Sequence, residues 1–329
     1  MEAHAPDART QSLAGQAIAM KFDITELALE EIPKAREIFS AVFGHCVTAE
    51  HWNWKYAQGP RLGTINLVAR KAQGELAGHV GCMLFQGTSH GQPLVFAQVC
   101  DVMVSRHLRG GLDSQGVYPQ LVKALQQNLL DRFGQVFAYG FPGERPFKLG
   151  QRMGFYRRLY PVQSFRFNPA DAEKSGFQTA TLVLSDWDGT RLDTVWKRLA
   201  RFQKTPVLSR TGAYLLWRYA THPERSYKLW IVRKLWKDVG WLVTASAPNH
   251  EEVIVDSLLP PHVTVDAACT LLWRKLRAEQ QSVAALIHWL KPCSQVMRAN
   301  GIIATEFLAG QWHTHLQNLQ FQPGDTDVF

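Results

Sequence analysis

The sequence is poor in cysteine, and the few it has make no pattern. Cys46, Cys82, Cys100, Cys269 and Cys293 are scattered, odd in number and never spaced as CxxC. That excludes a disulfide framework and a zinc ribbon, and it suits reduced thiols in the cytoplasm. The histidines do not fall at ligand spacing with the cysteines, so no metal site is expected. No apolar run reaches the roughly 20 residues of a membrane helix, so no membrane span is expected. The opening MEAHAPDARTQSLAGQAIAMK lacks a basic segment followed by an apolar core, so it does not read as a secretory signal. Residues 1–21 are expected to form a flexible tail. Charge is also sparse. Charged residues are 19% of the 329 and apolar residues 46%, which argues against disorder and leaves room for the cores of two domains. What charge there is leans one way, to +8. A basic balance speaks of partners rather than fold. It admits a phosphate-bearing cofactor, an acidic carrier protein, nucleic acid or a membrane surface.

What is present is a repeat. Trp54 to Lys71 reads WKYAQGPRLGTINLVARK, and Trp217 to Lys234 reads WRYATHPERSYKLWIVRK. The two align without a gap: Trp, Tyr, Ala, Pro and the closing Arg-Lys coincide, Lys55 meets Arg218, and Val68 meets Ile231. Such self-similarity is sought early because it decides the fold.

The order of elements repeats as well. FDITELA, from Phe22, alternates as a strand, and LEEIPKAREIFSAVF has helical spacing. AEHWNWKYAQ is a short helix ended by Gly59-Pro60. INLVARK, ELAGHVGCMLFQG and LVFAQVCDVMVS read as strands. VYPQLVKALQQNLLDRF is a helix, QVFAYGF a strand, ERPFKLGQRMGF a helix and RRLYPVQSFRF a strand. From the repeat onward the second part follows suit. GAYLLWRYATHP is the short helix, and KLWIVRK, GWLVTASAP and EEVIVDSLL are strands, with Asp256 in the place of Asp101. VDAACTLLWRKLRAEQ is a helix, SVAALIHWLK a strand, CSQVMRANGI a helix and IATEFLA a strand. The expected class is α+β, a mixed α/β chain of two copies, each a mostly antiparallel twisted sheet flanked by helices. The expected boundaries are residues 22–168 for the first copy, 169–204 for a linker and connecting helix, and 205–329 for the second.

The copies differ most after their long strand. The first has SRHLRGGLDSQG before its helix; the second has PPHVTVDA, without glycine. Glycines let backbone N–H groups point inward together. A helix starting there adds unpaired N–H groups and the positive end of its dipole. Loop and helix start make a phosphate seat, and Arg106 and Arg109 supply charge-assisted hydrogen bonds.

With VCDVMVSRHLRGG and KLGQRMGF in this order, the chain resembles the GNAT acyltransferase superfamily, as a tandem protein whose second copy is degenerate. The resemblance implies an acyl-CoA, most simply acetyl-CoA, as cofactor, and an N-acyltransferase activity on a primary amine of a small molecule. It implies that the loop around Arg106, Arg109, Gly110, Gly111, Gly116 and Val117 holds the pyrophosphate. The pantetheine arm would pair with the strand around Val102 to Val104 and lie where that strand splays from the next, beside Val136 to Gly140. The sequence departs from the family pattern in two places. GGLDSQ lengthens the loop between Arg109 and Gly116, and Gly150 stands where many members carry a proton-donating Tyr.

Acyl transfer needs a base for the amine, a donor for the oxyanion and an acid for the thiolate. A backbone N–H of Met103 or Val104 is the candidate oxyanion donor. Asp101 is the candidate base, set against a structural role that its repetition as Asp256 favours. Tyr139 is a candidate acid, and Glu144 a candidate ligand for the amine, set against a core aromatic and a helix-start carboxylate. Asp325 and Asp327, in a tail that folds back over the acceptor cleft, are candidates to bind an ammonium. The cluster Arg145, Lys148, Arg152, Arg157 and Arg158 could meet the CoA 3′-phosphate or an acyl carrier protein, a second candidate partner. A carrier-protein or aminoacyl-tRNA donor and a non-catalytic CoA-binding protein are the alternatives. No nucleic acid partner is expected, and the expected location is cytoplasmic.

Overall fold

The structure is a computed structural model that describes residues 22–59, 62–89, 92–109, 115–134, 136–167, 180–202, 206–261, 263–279, 281–289, 297–307 and 321–326. Of the sequence expectations, the tail 1–21, residues 169–179, 203 and 204 of the linker stretch, Cys293, Gly110, Gly111 and Asp327 lie outside the described residues.

Strands β1 (Asp23–Glu26), β2 (Gly63–Arg70), β3 (Leu76–Ser89), β4 (Gln92–Val104), β5 (Phe137–Gly140) and β6 (Tyr156–Arg166) come from the first half. The second half gives β7 (Ala180–Ser185), β8 (Val207–Leu208), β9 (Lys228–Lys234), β10 (Lys237–Ala247), β11 (Glu251–Leu258), β12 (Ala285–His288) and β13 (Met297–Phe307). All belong to one 13-stranded sheet of order β1-β2-β3-β4-β5-β13-β6-β12-β11-β10-β9-β7, with β8 pairing β3 off this path. The order is a palindrome. β4 pairs β5 in parallel, and β11 pairs β12 in parallel. Beyond β5 lies β13, and beyond β12 lies β6, both antiparallel. Each half therefore lays its last strand against the other half, and β6 and β13 pair antiparallel between them. Two separate sheets were the expectation; one continuous sheet joined by exchanged strands is the result.

Two expected elements are corrected. CSQVMRANGI reads as a helix by sequence, but β13 begins at Met297. Its backbone is taken by β6, from Met297 opposite Phe165 to Phe307 opposite Tyr156, and the ladder overrides a weak local preference. The stretch 169–204, read as a linker and helix, contains the edge strand β7, which pairs β9 as β1 pairs β2.

The helices are α1 (Ile32–Phe43), α2 (Ala49–Tyr56), α3 (Val117–Phe133), α4 (Glu144–Arg152), α5 (Gly189–Ala200), α6 (Gly212–Leu215, continued by a π turn Leu216–Ala220) and α7 (Val265–Ala278). Strand alternation sorts the core onto two faces. Met83 and Phe85 of β3 face a core shared by α1, α2, α5 and α6, which spans both halves. Cys82 and Leu84 face a core under α3 and Phe147 of α4. A third core lies under α7.

The repeated motif sits at the centre of this symmetry. Trp54 and Trp217 stack at 4.9 Å. The indole N–H of Trp54 donates to the Trp217 carbonyl at 2.9 Å, and that of Trp217 donates to the Trp54 carbonyl at 3.1 Å. Such a pair adds about 1 kcal/mol beyond its buried area. Gly59 (φ +100°) and His222 occupy equivalent places in the repeat. A Cβ on Gly59 would come within 2.5 Å of the Trp217 ring, while the His222 ring lies 4.4 Å from Trp54.

Candidate active site at the splay of β4 and β5

The β4–β5 ladder holds from Phe96 opposite Phe137 to Gln98 opposite Tyr139, and it stops there. β13 pairs the other edge of β5, at Ala138–Gly140, and among the described residues the β5-facing edge of β4 has no ladder partner from Val99 onward. The splay is thus where the sequence resemblance put it, beside Val136 to Gly140.

Just past the splay β4 is bulged. Gly81 pairs Cys100 and His79 pairs Met103, so Asp101 and Val102 face Val80 alone. Asp101 has φ +48°, which costs a non-glycine residue roughly 1–2 kcal/mol and re-aims the strand. Four side chains hold the bulge. Lys55 Nζ lies 2.9 Å from both Asp101 oxygens, and the Tyr56 hydroxyl donates to Asp101 at 2.5 Å. The buried His79 donates its Nδ1–H to the Asp101 carbonyl at 3.0 Å and sits 3.3 Å from Asn66 Oδ1. Burial, and secondarily Asp101, pushes the Tyr56 phenol well above its ordinary range. Burial pulls the His79 imidazole below its own. Asp101, a candidate base set against a structural role, is a paired carboxylate.

Helix α3 starts where Gly116-Val117 place it, with Gly116 as its N-cap in extended conformation and no side-chain cap bond. Pro119 has no N–H to satisfy. Arg106 and Arg109 are exposed, and Arg109 Nε donates to the Val104 carbonyl at 2.9 Å. Met103 is fully buried opposite His79, and Val104 lies opposite Gly78.

The remaining candidates scatter. Tyr139 is fully buried; its hydroxyl faces Gln98 Oε1 at 3.5 Å, its ring stacks on Phe321 at 4.8 Å, and burial pushes its phenol well up. Glu144 is 66% exposed and pairs Lys148 along α4 at 2.8 Å, which lowers its carboxyl. That is a helix-start carboxylate, not a cleft ligand. Asp325 is buried, with Arg210 Nη2 at 2.6 Å, so it is no free carboxylate for an ammonium. Three of the basic cluster have partners within the chain: Lys148 pairs Glu144 on the surface of α4, Arg157 pairs the buried Glu306, and Arg158 lies over the Phe147 ring; Arg145 and Arg152 are exposed. Gly150, where the family's Tyr stands, abuts Tyr156; a Cβ there would lie 2.2 Å from that ring.

Sequence reasoning missed Lys55, Tyr56, His79 and Gln98 as site residues. The repeat had marked two of them, Lys55 over Arg218 and Tyr56 over Tyr219, as signs of fold. Gln98 lines a closed cavity of about 10 Å³ with Trp54, Lys55, Phe85, Trp217 and Thr326. Its Nε2 has no hydrogen-bond partner among the described residues.

The second half has the same frame and a different filling. Its β11–β12 ladder stops at Val253 opposite Ile287. Tyr219 donates to Asp256 at 2.8 Å, as Tyr56 does to Asp101. Alongside β11, however, lies the chain's own segment Phe321–Thr326. Gln322 makes two bonds with Ser257, at 2.8 and 2.9 Å, and Arg218 donates to the carbonyls of Gly324 and Thr326. Arg210 bridges Asp256 and Asp325. The start of α7 is closed by Thr264, whose hydroxyl accepts from the Ala267 N–H at 3.2 Å.

Residues 23–159 match the family model described as acetyltransferase (GNAT) domain. The open β4–β5 splay and the uncapped helix start lie within this stretch, which is similar to GNAT acetyltransferase domains. Solved structures share the fold over nearly the whole length. A protein from Enterococcus faecalis described as a probable N-acyltransferase is 14% identical, with a TM-score of 0.68 over 88% of this chain and 73% of its own. A GCN5-related N-acetyltransferase from Anabaena variabilis is 12% identical, with 0.65 over 87% and 72%. The Saccharomyces cerevisiae N-myristoyltransferase with bound myristoyl-CoA is 9% identical, with 0.54 over 88% and 83%. No curated protein matches the sequence. No helix among the described residues is long and apolar enough to cross a membrane.

Proposed function

We propose that this chain is an acyl-CoA-dependent N-acyltransferase with one donor site, in the first of two copies of one fold. The first copy runs over residues 22–168, and the second begins at β7 rather than at residue 205. The observation that carries this is the contrast between the two splays. One opens onto a helix start with no side-chain cap, and the other is filled by the chain's own Phe321–Thr326.

In this reading the pyrophosphate lies at the start of α3, against the N–H groups of the Gly116–Tyr118 turn and the Arg106 and Arg109 guanidiniums. The pantetheine runs along the open edge of β4. Ser105 donates its N–H to Ala77 of β3 at 2.9 Å, so strand alternation turns the Val104 N–H toward the open edge. Val104 rather than Met103 is the oxyanion donor. An acyl-CoA supplies a thioester: the amine nitrogen bonds to its carbonyl carbon, the carbon–sulfur bond breaks, and the thiol departs while the amine gives up a proton. Val104 stabilises the oxygen as it gains charge.

Asp101, held by Lys55 and Tyr56, is proposed as a positioning residue that sets the bulge and hence the aim of Val104. Tyr139, whose proton is held tightly, offers a hydrogen bond and not proton transfer. Glu144 and Asp325 take no part in the chemistry, and Asp327 keeps the ammonium role. Acetyl is the simplest acyl group and a small-molecule primary amine the simplest acceptor.

Calorimetric titration of acetyl-CoA, CoA and a longer acyl-CoA tests the donor site, beside the Arg109→Gly variant. One molecule bound per chain and weakened binding in the variant are expected. No binding of any CoA species overturns the reading.

A further inference from the structure

We propose that the tip of the β9–β10 hairpin docks this protein on anionic lipid surfaces. The hairpin turns through two residues, Leu235 and Trp236, between Lys234 and Lys237. Both turn residues have positive φ, +46° and +68°. That is a type I′ geometry, which Asn-Gly fills without strain and which a branched or bulky side chain resists. Both side chains stand in solvent: Trp236 is 94% exposed and Leu235 77%. Behind them Lys234 and Lys237 face each other on the first rung of the ladder, a like-charge pairing that disfavours a hairpin.

Three choices at one turn thus work against the isolated fold, and among the described residues no side-chain contact of Leu235 or Trp236 offsets them. The same hairpin in the first half, between β2 and β3, makes the opposite choice each time. Its tip is polar, Gly74 takes the positive φ, and Lys71 is paired with Glu75 at 2.8 Å.

The surroundings name the occupant. Arg191, Arg198 and Arg233 converge on one residue, Asp238: two bind its carboxylate and the third its carbonyl. Lys234 and Lys237 are left without a carboxylate partner among the described residues. At the end of the adjacent α5, Phe202 is half exposed beside Arg201. The result is a convex apolar tip with cations set behind it. A Trp ring at headgroup depth and lysines reaching phosphates are what an anionic bilayer surface accepts. Two protruding side chains fall far short of the about 800 Å² per partner that a stable protein interface needs, whereas a lipid surface requires no matching pocket. The tip is remote in sequence from every residue of the proposed acyl-transfer site, and the docking stands or falls without that site.

The test is co-sedimentation of the full chain with phosphatidylcholine vesicles, with and without phosphatidylglycerol. The native chain should bind only the anionic vesicles, and salt should weaken the binding. Leu235→Asn with Trp236→Gly builds the relaxed turn, so its melting temperature should equal or exceed that of the native chain while its vesicle binding falls. Lys234→Gln with Lys237→Gln should lower binding by roughly tenfold or more. The proposal is overturned if the native chain binds no vesicles, or if the relaxed-turn variant binds as well as the native chain. It is also overturned if the native chain self-associates without lipid and the variant does not, which would make the tip a contact between copies.

Discussion

After the same long strand, the two halves of this chain start a helix in opposite ways. In the second half Thr264 accepts from the backbone of α7 and Asp266 stands in its first turn. The helix start is self-sufficient and repels an anion. In the first half Gly116 offers no acceptor and no acid stands in the first turn of α3. The splay beside each helix start follows the same division: Phe321–Thr326 lies along β11 in one half, while among the described residues no strand pairs the β5-facing edge of β4 past Gln98 in the other. In the proposed reading one half of the frame is tuned for stability and the other for a ligand, and the residues at equivalent places are where the two would differ.

The largest effect that would sharpen this contrast is expected at Arg210. Arg210→Met leaves the buried Asp256 and Asp325 facing each other without a cation. It should cost about 3–5 kcal/mol, read as a lowered urea midpoint. Lys55→Met strands only Asp101, which keeps its Tyr56 bond, and should cost less. Equal losses would break the comparison.

Next come substitutions at the helix starts. Gly116→Thr gives α3 the cap that α7 already has. Because the N-cap conformation suits any residue, the fold should hold, while CoA binding weakens by about tenfold as the hydroxyl competes for the N–H groups. Thr264→Gly should leave CoA binding unchanged and cost only a few tenths of a kcal/mol. New CoA binding in that second variant would mean that the cap alone, and not the tail in the splay, silences the second half.

A smaller, pH-dependent effect separates the halves again. His79 is matched in the second half by Trp241: each lies opposite the residue two places after its aspartate. Burial lowers the folded-state pKa of His79, so the folded chain binds fewer protons than the unfolded chain. Its contribution is full above about pH 6.5 and declines as pH falls below that, by up to about 1.4 kcal/mol per unit. His222, which burial and Arg218 push down to about 3, acts with the same sign, reduced by its partial exposure. Urea midpoints between about pH 7 and pH 5 should fall, and His79→Gln should flatten the slope. A slope unchanged in that variant would remove His79 from the account.

The fold was largely legible in the sequence because it is written twice. A Trp-Lys/Arg-Tyr motif and a matching order of strands and helices carry redundant information, and both survive burial in opposite halves. The exchange of β6 and β13 was not legible, since strand pairing across the dyad depends on which edge is free in space. The segment MRANGI was misread for that reason: its partner strand is far away in sequence. Of the site, the helix start at Gly116-Val117 could be read from the loop glycines, and the place of the splay from the family resemblance. The bulge clamp could not. Nothing local says that Lys55 and Tyr56 reach Asp101, or that Arg210 claims Asp325. Those pairings depend on how the two halves meet at the Trp54–Trp217 stack.

The traded last strands also set an order of assembly. β5 cannot gain its outer neighbour until β13, more than a hundred residues later, has left the ribosome. Until then the first half presents an incomplete sheet edge beside the β4–β5 splay. Excising residues 22–168 as a free module would leave that edge permanently bare, a template for pairing with a stranger. Synthesis thus has to run past β13 before β5 has a neighbour on its far side.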